Sequence, residues 1–297
     1  MDYSALLRFL ANNLVFSFTV IIISFVLGWI LYNNVISSKI SLREALFEKD
    51  NLAAWIEFIG AFIFPTLYLA AKSIEGSLSE TWYMDLLICI TYVLSYVAAF
   101  TLLRMLSGLT VRLIGAGDSE GKVNLNSEIY VQKNIAAALF SVALSTVFVN
   151  CIKFLDVLPG YFVTSLYKVS IIFIFSLLAF IVYSMVVRQK TTLFKELFID
   201  NNAAAGVCFA GFMFAVEVIL SGVVTLQVEF VLSQLVAVSL ISLLLFGILS
   251  IIFKAIFKAM IKVDIWNEIY EQNNIGAAIG QVALYIGIAN VIVHFLK

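Results

Sequence analysis

Eight apolar runs of about 20 residues constrain this chain more than any other feature of its sequence. An α-helix of that length crosses the hydrocarbon core of a bilayer, and only helices and closed barrels satisfy their backbone polar groups there. The chain has 297 residues, 63% hydrophobic and 12% charged, whereas roughly a quarter of the residues in soluble domains are charged. We therefore predict an all-α, polytopic transmembrane helical bundle whose eight spans are at 12–33, 52–71, 84–106, 135–155, 167–187, 203–224, 230–253 and 275–296.

A short phrase that starts with asparagine stands at the beginning of every even-numbered span. An asparagine in that place caps a helix, because its side-chain oxygen accepts from the free N–H groups of the first turn. The small residues that follow allow close helix packing in lipid. An acidic and aromatic lead-in precedes each phrase. The four phrases are Asn51-Leu-Ala-Ala54, Asn134-Ile-Ala-Ala137, Asn202-Ala-Ala-Ala205 and Asn274-Ile-Gly-Ala277.

The phrases allow a second interpretation. Four helix N-termini that converge on one side of the membrane would offer partial positive charge to an anion. The acidic lead-ins argue against a strong anion site, since they already complement those dipoles. Capping and close packing are therefore the simpler account.

The phrases alternate in character along the chain. The spans that follow the second and fourth phrases, spans four and eight, share Val-Ala-Leu and a late asparagine, Asn150 or Asn290. The spans that follow the first and third phrases, spans two and six, share Phe-x-Gly instead. This ABAB pattern predicts four parallel two-helix repeats, grouped as a four-span unit at 1–155 and a second at 156–297. Parallel hairpins either surround an axis or stack in a bundle.

Basic residues predict the orientation of the chain. Thirteen of its 18 lysines and arginines lie in or beside the loops that lead into the even-numbered spans. The positive-inside rule places such loops in the cytoplasm. We therefore expect all four phrases on the cytoplasmic side and both termini on the outer side.

Together, the lead-ins and the Asn-x-Ala/Gly-Ala phrases resemble the YjfL-type bacterial inner-membrane family, a domain of unknown function that occurs in one or more copies. The first lead-in departs from the pattern, because Ala45 stands where the other copies have glutamate. The resemblance implies a bacterial, multi-pass inner-membrane protein with envelope-stress proteins as partners. In that membrane, the outer side on which the basic residues place both termini is the periplasmic side. It implies no reaction.

Polar residues within the spans are the candidate sites, because they are costly in lipid. Glu57 lies about 9 Å and Glu217 about 22 Å beyond the phrase asparagine of its helix, at 1.5 Å per residue. Two polar tiers result, with Ser141, Cys208 and Gln281 near the first depth and Thr66, Asn150 and Asn290 near the second. If the even-numbered spans ring an axis, these tiers would line it.

The same polar residues also have a structural interpretation. Asn150, Asn290 and Gln281 are suited to interhelical hydrogen bonds that hold helices together without transport. Glu57 and Glu217 are either functional groups or protonated carboxyls at helix interfaces. We expect no lysine or arginine at the depth of either carboxyl.

Several function classes find no support in the sequence. Cys89, Cys151 and Cys208 lie in apolar runs, and the one histidine, His294, cannot form a metal site alone, so we expect neither a metal nor a cofactor. The segment around Gly121-Lys122 lacks the spacing of a phosphate-binding loop. A net charge of −1 offers no bulk field for nucleic acid. No enzyme signature occurs.

Two hypotheses remain. The first is a non-enzymatic membrane module that self-assembles into a homo-oligomer or acts with stress partners in the lipid bilayer. The alternative is a channel or transporter for an ion or small solute, lined by Glu57 and Glu217.

Overall fold

The computed structural model describes residues 3–36, 41–72, 82–105, 123–155, 162–188, 191–226 and 232–296, and every regular element among them is helical. The helices are α1 (Tyr3–Leu31), α2 (Leu52–Glu57), α3 (Phe64–Lys72), α4 (Trp82–Met105), α5 (Ile135–Lys153), α6 (Phe162–Val187), α7 (Ala203–Val224), α8 (Leu232–Ile261), α9 (Ile265–Tyr270) and α10 (Ile275–Leu296). Short π-helical stretches occur at Tyr32–Ile36, Glu44–Glu48, Phe58–Ile63, Ser127–Val131 and Lys195–Ile199.

Among the described residues, eight segments are long and apolar enough to cross a membrane, which confirms the predicted number of spans. The second span, Leu52–Lys72, combines α2, a π-helical stretch and α3. The seventh span was predicted to end at 253, but α8 continues to Ile261. Lys254 and Lys258 therefore lie on its last turns, and the Nζ atom of Lys254 is 4.0 Å from the centre of the Trp266 ring. The glycine-rich segment before Lys122 lies outside the described residues.

The second span changes its helical geometry just before its proline. Pro65 has no N–H group to donate to the carbonyl four residues earlier, that of Ala61. The Tyr96 hydroxyl donates to this carbonyl instead. The π-helical stretch Phe58–Ile63 ends two residues before the proline, as expected where the regular hydrogen-bond ladder is interrupted.

The helices form two layers. We call α2, α5, α7 and α10 the capped helices, because each begins after a phrase asparagine. With α3, they pack in chain order in one row, and α1, α4, α6 and α8 form the second layer, in the grooves beside it. Within the described residues, α10 makes no extensive contact with α2 or α3. The capped helices of one chain therefore form an open row and do not surround an axis.

Small residues set the spacing within the row. A Cβ atom added to Gly206 of α7 would lie 2.9 Å from the Cα atom of Ala136, and one added to Gly211 would lie 2.2 Å from a methyl group of Val282. Such approach is possible only where a side chain is missing. α7 thus lies between α5 and α10 at short distance from both.

We expect Gly206→Ala to destabilise the protein although alanine favours a helix over glycine by roughly 1 kcal/mol. The new methyl group meets backbone, which cannot rotate away, and overpacking of this kind costs about 1–3 kcal/mol. Thermal unfolding in detergent measures the effect. Gly247→Ala is the matched control, since nothing lies within 4 Å of its Cβ position. Equal melting temperatures for both variants would contradict this packing.

Candidate functional site

The four phrase asparagines adopt one geometry. Asn51, Asn134 and Asn202 are extended. The side-chain oxygen of each of the four accepts from the backbone N–H three residues later. The asparagine's own backbone N–H donates to the carbonyl six residues earlier. The preceding residue has a positive φ angle, which is 45° at Asp50, 57° at Lys133, 55° at Asn201 and 52° at Asn273. The lead-in and the cap therefore form one compact unit at each helix start.

The side-chain amides of these asparagines connect one phrase to the next. The Nδ2 atom of Asn51 donates to the Ile129 carbonyl in the second lead-in, at 2.8 Å. Equivalent bonds run from Asn134 to the Leu197 carbonyl, at 2.9 Å, and from Asn202 to the Ile269 carbonyl, at 3.0 Å. We call this series the asparagine ladder. It places all four phrases at the same end of the bundle.

In the last three phrases, the asparagine amide also donates a hydrogen bond to a carboxylate of its own lead-in. Glu128, Glu196 and Glu268 each accept from the asparagine six residues later, at 3.0, 2.7 and 2.8 Å. The first two carboxylates are buried. Negative charge therefore already stands at these helix starts, as the sequence interpretation against an anion site requires.

Glu57 lies in a fully buried cluster built from several elements. The hydroxyls of Tyr32 and Tyr130 donate to its Oε2 atom at 2.6 and 3.0 Å, and the Ser141 hydroxyl donates to Oε1 at 2.7 Å. The two tyrosine hydroxyls also contact each other. Burial raises the pKa of Tyr130, which precedes its span, well above the usual value for tyrosine. Its hydroxyl therefore keeps its proton for donation.

A cation also reaches Glu57, so the expectation of none at its depth was wrong. The Nη1 atom of Arg104 is 3.3 Å from Glu57 Oε1, and both side chains are buried. The contact is an ion pair without hydrogen-bond geometry, and Nη1 has no hydrogen-bond partner. A second guanidinium nitrogen donates to Asn126. Arg104 is near the end of α4, which runs antiparallel to α2, and this places it level with Glu57.

Glu217 lies in a second buried cluster, near the end of α7 that is remote from its phrase. The amide of Asn150 donates to its Oε2 atom at 2.7 Å and to its backbone carbonyl at 3.1 Å. The Ser176 hydroxyl donates to Oε1. Among the described residues, no lysine or arginine forms an ion pair with this carboxyl.

A cavity of about 410 Å³ extends from Glu217 between α3, α5 and α7. Asn150, Lys153 and Ser221 contribute polar groups to its wall. The Lys153 ammonium donates to the Ser221 hydroxyl at 3.0 Å. Most of the wall is apolar, so these polar groups are the part of the cavity that can bind water or a small solute.

The other candidate residues have separate surroundings. Gln281 is buried near Tyr285, and its Oε1 atom has no hydrogen-bond partner. Asn290 is exposed, and its amide donates to the Ile286 carbonyl of its own helix at 2.9 Å. One pair in each tier thus meets across neighbouring helices, Glu57 with Ser141 and Glu217 with Asn150. The tiers do not surround an axis.

Sequence reasoning missed Arg104, Tyr32 and Ser176 as partners of the carboxyls. The depth of these residues in their spans could have indicated the contact. Consecutive spans run antiparallel, so the end of span three lies at the same depth as the start of span two. Arg104 stands near the phrase end of span three, and Glu57 near the phrase end of span two. Within the described residues, no group of three or more His, Cys, Asp or Glu side chains is placed to hold a metal ion.

Two phrase asparagines form a matched pair for a stability test. Asn134 and Asn274 make the same cap, but only Asn134 is buried and donates to a later phrase. We expect Asn274→Ala to cost about 1 kcal/mol, the usual value of a cap. Asn134→Ala should cost a further 1–3 kcal/mol or so, because it leaves a buried carbonyl unpaired. Equal losses in thermal unfolding would show that the ladder contributes nothing.

Comparison with protein-family models identifies a domain in the second half of the chain. Residues 156–296 match the family described as Domain of Unknown Function (DUF350). Neither the curated proteins nor the solved structures contain a match to the chain. The chain therefore contains a DUF350 domain at residues 156–296.

Proposed function

We propose that the protein is a non-enzymatic module of the bacterial inner membrane that acts by self-assembly, alone or with envelope-stress partners. The observation that carries this proposal is the bonding of Glu57. Its carboxyl receives groups from the end of the first span, from α4, from the second lead-in and from α5. Such a group joins helices and has little capacity left for a solute.

Four parallel two-helix repeats account for the internal regularities. The same cap, positive φ angle and backbone bonds recur at every phrase. We call the contact between one capped helix of the row and the next a joint. The ABAB grouping is supported by glycine contacts, because Gly60 meets Val142 in the first joint and Gly211 meets Val282 in the third. The two pairs stand at equal distances along the chain from their phrase asparagines. The middle joint uses Gly206 instead. The DUF350 match begins at residue 156, where this grouping divides the chain.

Orientation and partners follow from the basic residues and from the YjfL-type resemblance. Basic residues cluster at the end of the bundle that carries the phrases, which favours a cytoplasmic location for that end and a periplasmic one for both termini. Envelope-stress proteins are the partners that the resemblance implies.

Subunit counting tests the proposed module. We expect the labelled protein, at low density in native-like membranes, to bleach in more than one step. Liposomes that contain it should conduct no more ions than empty ones. Single-step bleaching, together with an ion flux that Glu217→Gln removes, would overturn the proposal.

A channel or transporter is the second candidate, and the cavity beside Glu217 is the observation that favours it. The cavity brings a carboxyl, an amide, an ammonium and hydroxyl groups to one space. The transport hypothesis has both carboxyls on its wall, so it also requires access to Glu57, whose oxygens are already occupied by hydrogen-bond donors. Water access to the two clusters therefore separates the candidates.

A pair of serine-to-cysteine variants tests that access with minimal change of shape. Ser221 lines the cavity, whereas Ser141 is buried against Glu57. In a variant with Cys89, Cys151 and Cys208 replaced by alanine, we expect a small charged thiol reagent to label Ser221→Cys and to leave Ser141→Cys unlabelled. Labelling at both would support a water pathway and the transport candidate.

A further inference from the structure

The capped helices use the same face to meet the next member of the row. We call this the joining face and define it by the residues 2, 6, 9, 13 and 16 positions after the phrase asparagine. On α5 the face is buried from one end to the other, and α7 contacts it at its first, second and last positions. Its residues are Ala136, Phe140, Ala143, Val147 and Asn150.

The joining face of α10 is exposed over its whole length. A Cβ atom added to Gly280 or Gly287 would meet nothing within 4 Å. The last helix of the row thus keeps small residues on the face that α5 buries completely and α7 buries at four of its five positions. These residues are Gly276, Gly280, Ala283, Gly287 and Asn290. On the second span the corresponding face is buried at Ala53 and Glu57 and exposed at Phe64.

In the part of the chain that the structure describes, the side-chain amides at both ends of this exposed face bond only within their own helix and lead-in, not to a further capped helix. Within the described residues, the Asn274 amide donates only to its own lead-in carboxylate, that of Glu268, whereas the other phrase asparagines donate onward. Asn290 bonds only to its own helix, although its counterpart Asn150 binds Glu217 of the next helix. Amides in such positions gain from a partner in lipid.

The first lead-in and the first capped helix expose the complementary surface. The aromatic residue four positions before each later phrase asparagine is buried and meets position 6 of the preceding joining face. Tyr130 contacts Glu57 in this way, and the Phe198 ring centre is 5.5 Å from that of Phe140. Phe47 occupies the same position in the first lead-in and is 64% exposed.

A second exposed residue on the first capped helix repeats this correspondence. Val142 and Val282 stand eight positions after their asparagines and press against position 9 of the preceding face, at Gly60 and Gly211. Ile59 is the equivalent residue of the first helix, and it is 50% exposed.

We propose that α10 binds the first capped helix of a second copy of this chain, in the same orientation, and so continues the row. Phe47 of the second copy packs over Gly280, and Ile59 packs against Ala283. Large side chains thus meet small ones, as Val142 and Val282 meet Gly60 and Gly211 in the first and third joints within the chain.

The same contact extends the asparagine ladder. The Asn274 amide donates to the Leu46 carbonyl of the second copy, which is the ladder position of the first lead-in. Trp55 Nε1 of the same copy already donates to this carbonyl at 3.1 Å, and the amide uses its second lone pair.

This inference rests on the proposed self-assembly and specifies its interface. The contact is heterologous, because each chain offers one face at its start and a different one at its end. A symmetric pairing of two α10 helices would leave the exposed surfaces of Phe47 and Ile59 uncovered, although the Phe47 ring also packs edge-on against Trp55 of its own chain. Continuity with three observed joints therefore identifies the occupant as another copy of this chain.

Cross-linking between differently tagged copies tests the register. In the cysteine-free variant, one copy carries Gly280→Cys and the other Phe47→Cys, and both are expressed together and oxidised in membranes. We expect a mixed disulfide between the two tags. Gly247→Cys replaces Gly280→Cys in the control, since it also stands in open space in a spanning helix, and should give none.

A bulky substitution tests the same face without cysteines. We expect Gly280→Leu to weaken association by about tenfold or more, the factor expected for a bulky group in a close helix contact, and Gly247→Leu to leave it unchanged. The melting temperature of the monomer should not fall in either variant, because both positions are open.

Two results would overturn the inference. Multimers that lack the mixed cross-link and persist in Gly280→Leu would overturn this interface and leave self-assembly intact. Single copies in membranes, by subunit counting, would overturn both proposals.

Discussion

Unpaired backbone groups at helix starts are the constraint on which this structure depends. The first N–H groups of a helix have no partner within it, and a bilayer offers little water to replace one. Asparagine solves this problem with one side chain, since its oxygen caps its own helix while its amide reaches the neighbouring lead-in. Helix initiation and helix association are therefore coupled, and the row of capped helices follows from this coupling.

The three joints of the row place different chemistry on one geometry. The first holds a carboxyl, an arginine and two tyrosines. The middle joint is aromatic at the same level, with ring centres of Phe140 and Phe209 5.7 Å apart. The third pairs the hydroxyls of Tyr183 and Tyr270. In a low dielectric, hydrogen bonds and ion pairs are strong, and a polar group that is left unpaired is costly in free energy. The polar joints therefore favour the pairs of helices that satisfy these groups.

An open row has consequences that a ring does not have. In repeat proteins each unit is stabilised by its neighbours, and terminal units usually carry a polar outer face. In lipid that requirement changes, because an apolar end is already soluble in the membrane. The last capped helix here instead presents glycines and two amides. Such a surface gains little from lipid and fits another helix.

The sequence by itself determined the eight spans, the all-helical class and the position of each cap. Hydrophobic length and asparagine chemistry are local properties, and each is set within one turn or one span. Only the tertiary structure decided that the capped helices form a row and that Arg104 stands beside Glu57. It also decided that Glu217 pairs with Asn150 and that α8 continues past its first lysine. These outcomes depend on which helix faces meet and at what depth, and separate segments of one sequence do not carry that information.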